Sequence, residues 1–318
     1  MKTVRFLVIG ANGQIGSDLS EALVARYGAD AVVTSDLASQ GRVAGLPHEA
    51  LDVTDAAALA SVVRRHGVTR LVHLAAVLSA SGERDPLAAW NVNMSGLLNV
   101  LELARQGGVE QVFWPSSIAV FGPGTPADDT PQRTVTDPLT VYGISKLAGE
   151  RWCDWYRARR GVDVRSLRYP GLISWKTPPG GGTTDYAVEI FHAALTQGRY
   201  TCFLREDQSL PMMYMPDALR ATIELMEAPA ARLGEHGSYN VAGMSFTPRQ
   251  LADAIALRVP GFTMECRPDF RQEIAAGWPR SIDDSAARRD WGWHARYGLQ
   301  DTVDDMLAHL QASRPPRP

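Results

Sequence analysis

Apolar and polar positions along the chain follow two alternating patterns. The run "VRFLVIG" is nearly continuous and apolar and ends in glycine; the segment "QIGSDLSEALVARYG" behind it repeats Ile15, Leu19, Leu23 and Val24 at helical spacing. A run apolar on both faces predicts a buried strand, and the spaced repeat predicts a helix lying on it. The alternation continues through the strand "AVVTSD", the helix "DAAALASVVRRHG", the strand "RLVHLAA", a long helical pattern "PLAAWNVNMSGLLNVLELARQGG" and the strand "QVFWPSS". A helix from about Tyr142 to Arg160 and the strand "DVRSLRYPG" complete it. Such a succession predicts an α/β fold, a doubly wound parallel sheet with helices on both faces.

After Gly171 the texture changes. "LISWKTPPGGGTTDYA" combines prolines, glycines and threonines that no regular element tolerates, and reads as an active-site loop. Short strands ("YTCFL", "SYNVAG") then mix with helices, one starting at "TPRQLADAIALRV" with Thr247 as N-cap and Pro248 at the first helical position. The expected organisation is a nucleotide-binding domain over residues 1–171, joined by some later sheet elements, a smaller substrate-binding lobe mainly over 172–311, and a flexible tail, "SRPPRP", within 312–318. There is no internal repeat.

Composition narrows the function. The chain of 318 residues is 45% hydrophobic and 21% charged with a net charge of −3, so nothing asks for nucleic acid or an anionic membrane. No apolar run spans a bilayer and the N-terminus does not read as a signal peptide, which predicts a cytoplasmic protein. Cys153, Cys202 and Cys266 stand far apart, and the seven histidines show no ligand spacing. Disulfides and metal are not expected.

"GANGQIG" sets Gly10, Gly13 and Gly16, with Gln14 and Ile15, between the first strand and the first helix. Glycine there permits a tight turn, close approach of backbone to a pyrophosphate, and helix-on-strand packing, while the helix N-terminus offers N–H groups to the phosphates. Asp36, followed by Leu37, ends the second strand where a carboxylate accepts bonds from ribose hydroxyls and repels a 2′-phosphate. This favours NAD over NADP in a Rossmann-type sheet, with Arg42 the one nearby cation that would oppose it; a solvated loop aspartate or a helix cap is the plainer reading of Asp36. Asp52 and Val53 in "LDV" suit contact with the adenine, or simply end a strand before a Thr54 cap. "HLAA" puts small residues, with Leu74, Ala75 and Ala76, after a strand, where backbone can approach the dinucleotide; His73 by itself reads as core or surface.

In "TVYGISKLAGERW", Tyr142 and Lys146 are four apart and project from one helix face. A partly desolvated ammonium near a phenol favours the phenolate, so a depressed tyrosine pKa and a usable base are expected. The strand "QVFWPSSIAVFG" delivers Ser116 and Ser117 to a strand end, where open α/β sheets bind ligands. Ser116 reads equally as a strand-end cap.

Together the glycine turn, Asp36, the serines and Tyr142-x-x-x-Lys146 resemble the extended short-chain dehydrogenase/reductase superfamily, which includes the UDP-galactose 4-epimerases. The resemblance implies Tyr142 as catalytic base or acid, Lys146 binding the nicotinamide ribose and tuning Tyr142, and Ser117 bonding the reacting oxygen. Ser117 is preferred because the superfamily's serine precedes four residues before a glycine, here "IAVF" before Gly122. It further implies cofactor contacts from Asn93 in "WNVNMSG", which otherwise reads as an exposed helix polar residue, and from Tyr169 and Leu172.

"SLRYPGLIS", "PPGGGTTDYAVEIF", "MMYMPDALRA" and "WPRSIDDSAARRDWGW" are similar to the metal-free L-threonine 3-dehydrogenases of that superfamily. This implies oxidation of L-threonine at its 3-hydroxyl to L-2-amino-3-oxobutanoate with NAD, in threonine catabolism, with contacts to the amino acid from Ser79, Thr183, Thr184 and Trp278. Ser79 reads otherwise as a loop cap and Trp278 as core. The loop's threonine hydroxyls and exposed glycine amides suit a small carboxylate, and Arg280 with Trp278 is expected to close the pocket. A 2-amino-3-oxobutanoate CoA ligase is the expected functional partner. A nucleotide-sugar epimerase or dehydratase is the rival, for which Arg168 and Arg280 are the available cations; a non-catalytic NAD sensor is another, which would lack the tyrosine and lysine. A homodimer is expected through the helices over Trp90–Arg105 and Tyr142–Arg160, although Leu97, Leu98, Leu101, Leu103, Leu147 and Trp155 equally suit covering the sheet.

Overall fold

The structure, a computed structural model, describes residues 4–178 and 180–313. Strands are numbered β1 (Phe6–Ile9), β2 (Val32–Asp36), β3 (His48–Ala50), β4 (Arg70–His73), β5 (Gln111–Phe113), β6 (Ser116–Ser117), β7 (Val164–Arg165), β8 (Leu167–Tyr169), β9 (Gly171–Ile173), β10 (Arg199–Cys202), β11 (Leu210–Tyr214), β12 (Tyr239–Asn240), β13 (Met244–Phe246) and β14 (Thr263–Cys266). Six form the central sheet in the order β3-β2-β1-β4-β5-β7, every pair parallel. The Rossmann-type α/β expectation therefore holds. The order reverses between β1 and β4, and the crevice at their carboxyl ends is where such sheets take ligands.

Strand β1 shows why its sequence carries no polar residue. Phe6 and Val8 enter one core with Leu19, Leu23 and Val72, while Leu7 and Ile9 enter the opposite core with Leu71, Leu101 and Val112. With both faces covered, the period of two is hidden in the sequence. Second-half residues cover one of those faces: Met215, Ala218 and Leu225 of the helix Met215–Glu227 and Trp293 belong to the core of Phe6 and Val8. Strands β6, β8 and β12 form a small parallel sheet, β9, β11 and β13 a mixed one, and β10 pairs with β14. A separate core joins Tyr186, Ile190 and Phe191 to Met212, Tyr214, Phe246, Leu251 and Met306.

Local signals behave as their chemistry requires, with two differences. Thr247 and Gln250 form a reciprocal capping box ahead of Pro248–Ala256. The cap of the helix Ala56–His66, however, is Asp55, accepting from the amides of Ala57 and Ala58, and not Thr54, whose hydroxyl donates to Asp52. A carboxylate satisfies two orphan amides at once, and Thr54 is already engaged. The long pattern after Pro86 is helical to Arg105 but passes through a π turn over Asn91–Ser95. The last helix, Leu299–Ala312, runs one residue into the expected tail; residues 314–318, like Pro179 of the glycine-rich loop, lie outside the described residues. Among the described residues no helix is long and apolar enough to cross a membrane.

The helix Val141–Arg160 begins at Thr140, whose hydroxyl accepts from Gly143 N at 3.0 Å, and ends at left-handed Gly161. Gly143 lies hard against the segment after β6: a Cβ there would stand 2.1 Å from the carbonyl oxygen of Ala119. Gly143→Ala is expected to force these elements apart and cost about 1–3 kcal/mol, seen as a lower Tm in thermal denaturation; an unchanged Tm would refute the contact.

Candidate active site

A cleft of about 250 Å³ opens at the carboxyl ends of β1 and β4. Gly10 adopts φ +80°, its amide donating to Ser35 O at 2.9 Å, and a Cβ there would stand 2.7 Å from the amide of Ala75. A Cβ on Gly16 would fall 2.2 Å from Gly10 O. Gly13 caps the helix Gln14–Tyr27 with no side-chain acceptor, so its first turn faces the cleft as bare backbone. Bare amides, a positive helix end and no side chain on the approach fit a dinucleotide pyrophosphate.

The structure gathers Gly10, Gly13, Gln14, Ile15, Gly16, Leu74, Ala76, Tyr169 and Leu172 around this cleft with Ser79, Ser117, Tyr142, Lys146, Thr183, Thr184 and Trp278. It does not line the cleft with Asp36, Leu37, Asp52, Val53, Ala75 or Asn93. Asp36 is half-buried at the end of β2, one carboxylate oxygen accepting from Asn12 N at 3.0 Å, which ties it to the glycine turn. Leu37 is exposed, and Ala75 is the backbone that Gly10 clears. Asp52 is exposed and accepts from the amide and hydroxyl of Thr54, while Val53 is buried below Gly96.

Asn93 is buried, not exposed. Its amide bridges both backbone groups of Val77 and donates to Ser145 Oγ at 3.1 Å; Ser145 in turn donates to Tyr142 O at 2.7 Å. The π turn carries this side chain to Val77 and Ser145, and such turns are common at functional sites. His73 is buried with neither ring nitrogen bonded, and burial, then the nearby Lys146, holds its pKa down at about 3.

A hydrogen bond links Tyr142 to Ser117, whose hydroxyl also accepts from Ala119 N at 3.2 Å. Lys146 is buried, donates to Pro115 O at 2.6 Å, and lies 4.4 Å above the Trp114 ring and 5.5 Å above the Tyr142 ring. The expected depression of the tyrosine pKa does not follow: burial pushes Tyr142 up to about 12, with only the Ser117 bond opposing. The ammonium sits over the ring face, not at the phenol oxygen, and burial lowers Lys146 itself to about 7. Desolvation thus works against the charged form of both groups.

Three second-half expectations resolve differently. The amides of Gly181 and Gly182 are not free for a carboxylate, since both donate to Asp185 at 2.7 Å. Arg280 turns away to Asp128 on the surface, and Arg168 is buried against Glu150. By contrast, Ser79 and Thr183, 104 residues apart in sequence, place their hydroxyls 3.4 Å apart in the cleft, both buried. Trp278 is half-buried and serves both as cleft wall and as core neighbour. Leu78, Pro115, Ile118 and Asp185 also line the cleft and escaped the sequence reading; Asp185, directly ahead of the helix Tyr186–Gln197, carried a visible helix-start signal.

A parallel sheet with a glycine-turn dinucleotide crevice and a Tyr–Lys–Ser set at its switch point defines an NAD-dependent short-chain oxidoreductase. Residues 6–242 match the model of the NAD dependent epimerase/dehydratase family, and the chain belongs to that family, with NAD as cofactor. It is similar to a solved L-threonine dehydrogenase from Cupriavidus necator, described as GalE-like and in its holo form, at 67% identity and TM-score 0.95 over 96% of this chain and 99% of that one. A monomeric L-threonine 3-dehydrogenase from a metagenome is 45% identical with TM-score 0.94, covering 96% and 99%. A curated epimerase/dehydratase of uncharacterized activity from Staphylococcus haemolyticus is 44% identical over 96% of this chain and 98% of its own length.

Because the folded Lys146 titrates near 7 and a free lysine near 10.5, the unfolded chain binds more protons between these values, and stability rises with pH across that window. Lys146→Met should therefore raise the Tm of the protein without added dinucleotide, by several degrees at pH 6 and by less at pH 9. A gain larger at pH 9 than at pH 6 would contradict the burial argument.

Proposed function

We propose that this protein is an NAD-dependent L-threonine 3-dehydrogenase: L-threonine and NAD give L-2-amino-3-oxobutanoate, NADH and a proton. The observation that carries the reading is the convergence of the Ser79 and Thr183 hydroxyls in the cleft that Ser117 and Tyr142 also line. Among the described residues lining the cleft, Lys146 is the one cation and Asp185 the one carboxylate. A nucleotide-sugar diphosphate calls for arginines or further lysines, and Arg168 and Arg280 are committed elsewhere. The high identity to L-threonine dehydrogenases supports the same substrate.

The glycine turn over Gly10–Gly16 would hold the pyrophosphate, and Asp36 the adenine ribose. When bound, NAD supplies the hydride acceptor. Ser79, Thr183, Thr184 and Trp278 orient the amino acid so that its 3-hydroxyl meets Ser117 and Tyr142. Tyr142 accepts the hydroxyl proton, Ser117 bonds Tyr142 and aligns the reacting oxygen, and Lys146 would hold the nicotinamide ribose beside them. Asn93 holds the Tyr142 turn through Ser145. The product, a β-keto amino acid, suits hand-over to a CoA-dependent ligase.

Mixing the protein with NAD and L-threonine should produce NADH absorbance, and UDP-sugar should give none. Since the Tyr142 proton is held up to about 12, the rate should climb with pH through the alkaline range. Tyr142→Phe should lower kcat about 10²–10⁴-fold with NAD affinity retained. Interconversion of a UDP-sugar without net NADH would replace this reading by that of an epimerase.

We also propose a homodimer through the two long helices. Leu97 and Leu101 are buried in the core, but Ile144, Trp152 and Trp155 stay exposed on the helix Val141–Arg160, as Leu87 and Trp90 do on the helix Pro86–Trp90 packed against it, the tryptophans being 40–41% exposed. Sedimentation velocity should give a dimer for the native chain and a monomer for Trp152→Asp with Trp155→Asp; a monomeric native chain would refute it.

A further inference from the structure

The helix face that carries Tyr142 and Lys146 also carries a buried carboxylate. Glu150 stands one turn beyond Lys146 and two beyond Tyr142, and it is 2% exposed. Its Oε1 accepts from the Ser116 hydroxyl at 2.6 Å. Arg168 closes the carboxylate from the other side with two bonds of 2.8 Å, Nε to Oε1 and Nη2 to Oε2. Arg168 is buried as well: its Nη1 donates to Gln132 O at 2.9 Å and Asn240 Oδ1 at 3.1 Å, and the guanidinium lies 5.1 Å above the Phe121 ring. Ser116 and Arg168 are register partners in the β6–β8 pair, which sets Ser117 opposite Tyr169.

A buried ion pair stabilises a fold little, if at all, relative to apolar side chains of the same volume. This one therefore asks for another account, and its place supplies one. We propose that Glu150 is a positioning residue for the reaction: through Ser116 it fixes the strand end that presents Ser117, and through its charge it holds Lys146 as an ammonium. The inference rests on the assignment of Tyr142, Lys146 and Ser117 as the reacting set.

The electrostatic half follows from what surrounds Lys146. From its own helix it meets Tyr142, Cys153 and Glu150, from β4 His73, and from the segment after β5 the Trp114 ring and the Pro115 carbonyl. Burial raises the Tyr142 and Cys153 protons and keeps the His73 ring neutral. The pull that opposes desolvation at Lys146 comes first from Cys153 and then from Glu150; because burial keeps the Cys153 thiol protonated, Glu150, ion-paired with Arg168 and one helical turn from Lys146, is the anion of the two. The geometric half follows from Ser116, a cleft residue that touches Glu150 and precedes Ser117 in the chain.

The chain has three lysines, Lys2, Lys146 and Lys176, so lysine labelled with ¹³C at Cε gives few resonances, and Lys146→Met assigns the one of interest. In Glu150→Gln the Lys146 titration should move to lower pH by about 1 unit, because removing a nearby anion disfavours the ammonium. The variant Glu150→Leu with Arg168→Met, in which the whole pair becomes apolar and the fold keeps its volume, should move it the same way. Ser116→Ala leaves the charges in place: Lys146 titration should stay put while kcat with NAD and L-threonine falls about 10-fold or more and the Kd for NAD holds. A Lys146 midpoint that is unmoved when Glu150 is replaced overturns the proposal, as does full kcat in Ser116→Ala. The lysine titration needs no substrate, so absence of threonine oxidation by the native chain would refute the substrate reading separately.

Discussion

The site depends on how closely the helix Val141–Arg160 lies on the segment that carries the serines. Two of its residues have no side chain where one would not fit: a Cβ on Gly143 would meet Ala119 O at 2.1 Å, and one on Gly149 would meet the Trp114 ring at 2.4 Å. Glycine costs helix stability, so its use twice on one buried face has a packing reason. The close approach lets Lys146 reach Pro115 O and Glu150 reach Ser116. Three residues at spacings of four then present one polar column to the strand end.

That column is held in an environment hostile to charge. Burial drives Lys146 down to about 7 and Tyr142 up to about 12, and a carbonyl, a ring face and an anion offset only part of the loss. The same exclusion of solvent acts on both groups, and a cation or anion brought into the cleft shifts each of them. A site of this kind is poised by its solvent exclusion, whereas a solvated Tyr–Lys pair at the same spacing would keep ordinary pKa values and no chemistry.

The sheet was legible because its strands are apolar on both faces and its helices on one, so that two periods alternate for the first half of the chain. The glycine turn and the Tyr–Lys spacing were legible because both are local. What remained hidden depends on direction and distance. Thr54 and Asp55 are both capping residues, and only the geometry selects the aspartate. Arg168 and Arg280 count as cations in any tally, yet one is sealed behind β6 and the other lies on the surface. The glycine amides of the loop looked open because Asp185, which consumes them, lies a few residues further on in a different element. Glu150 escaped the sequence reading: it stands at helical spacing from Lys146, but its partners are 34 and 18 residues away in sequence.

Within this architecture the glycine-rich loop after β9 is not independent of the cofactor half. The buried carboxylate of Asp18, on the helix that begins at the glycine turn, accepts from Ser174 Oγ at 3.0 Å and lies 3.5 Å from Lys176 Nζ. The root of the loop is thereby fastened to the element that would hold the pyrophosphate, while its far end meets Ser79 through Thr183. A displacement of that helix would carry the loop's root with it, and the hydroxyl pair in the cleft would change with it. Placing the cofactor and shaping the far side of the cleft are for this reason one structural event, and the polar column on the neighbouring helix is the fixed surface against which both are set.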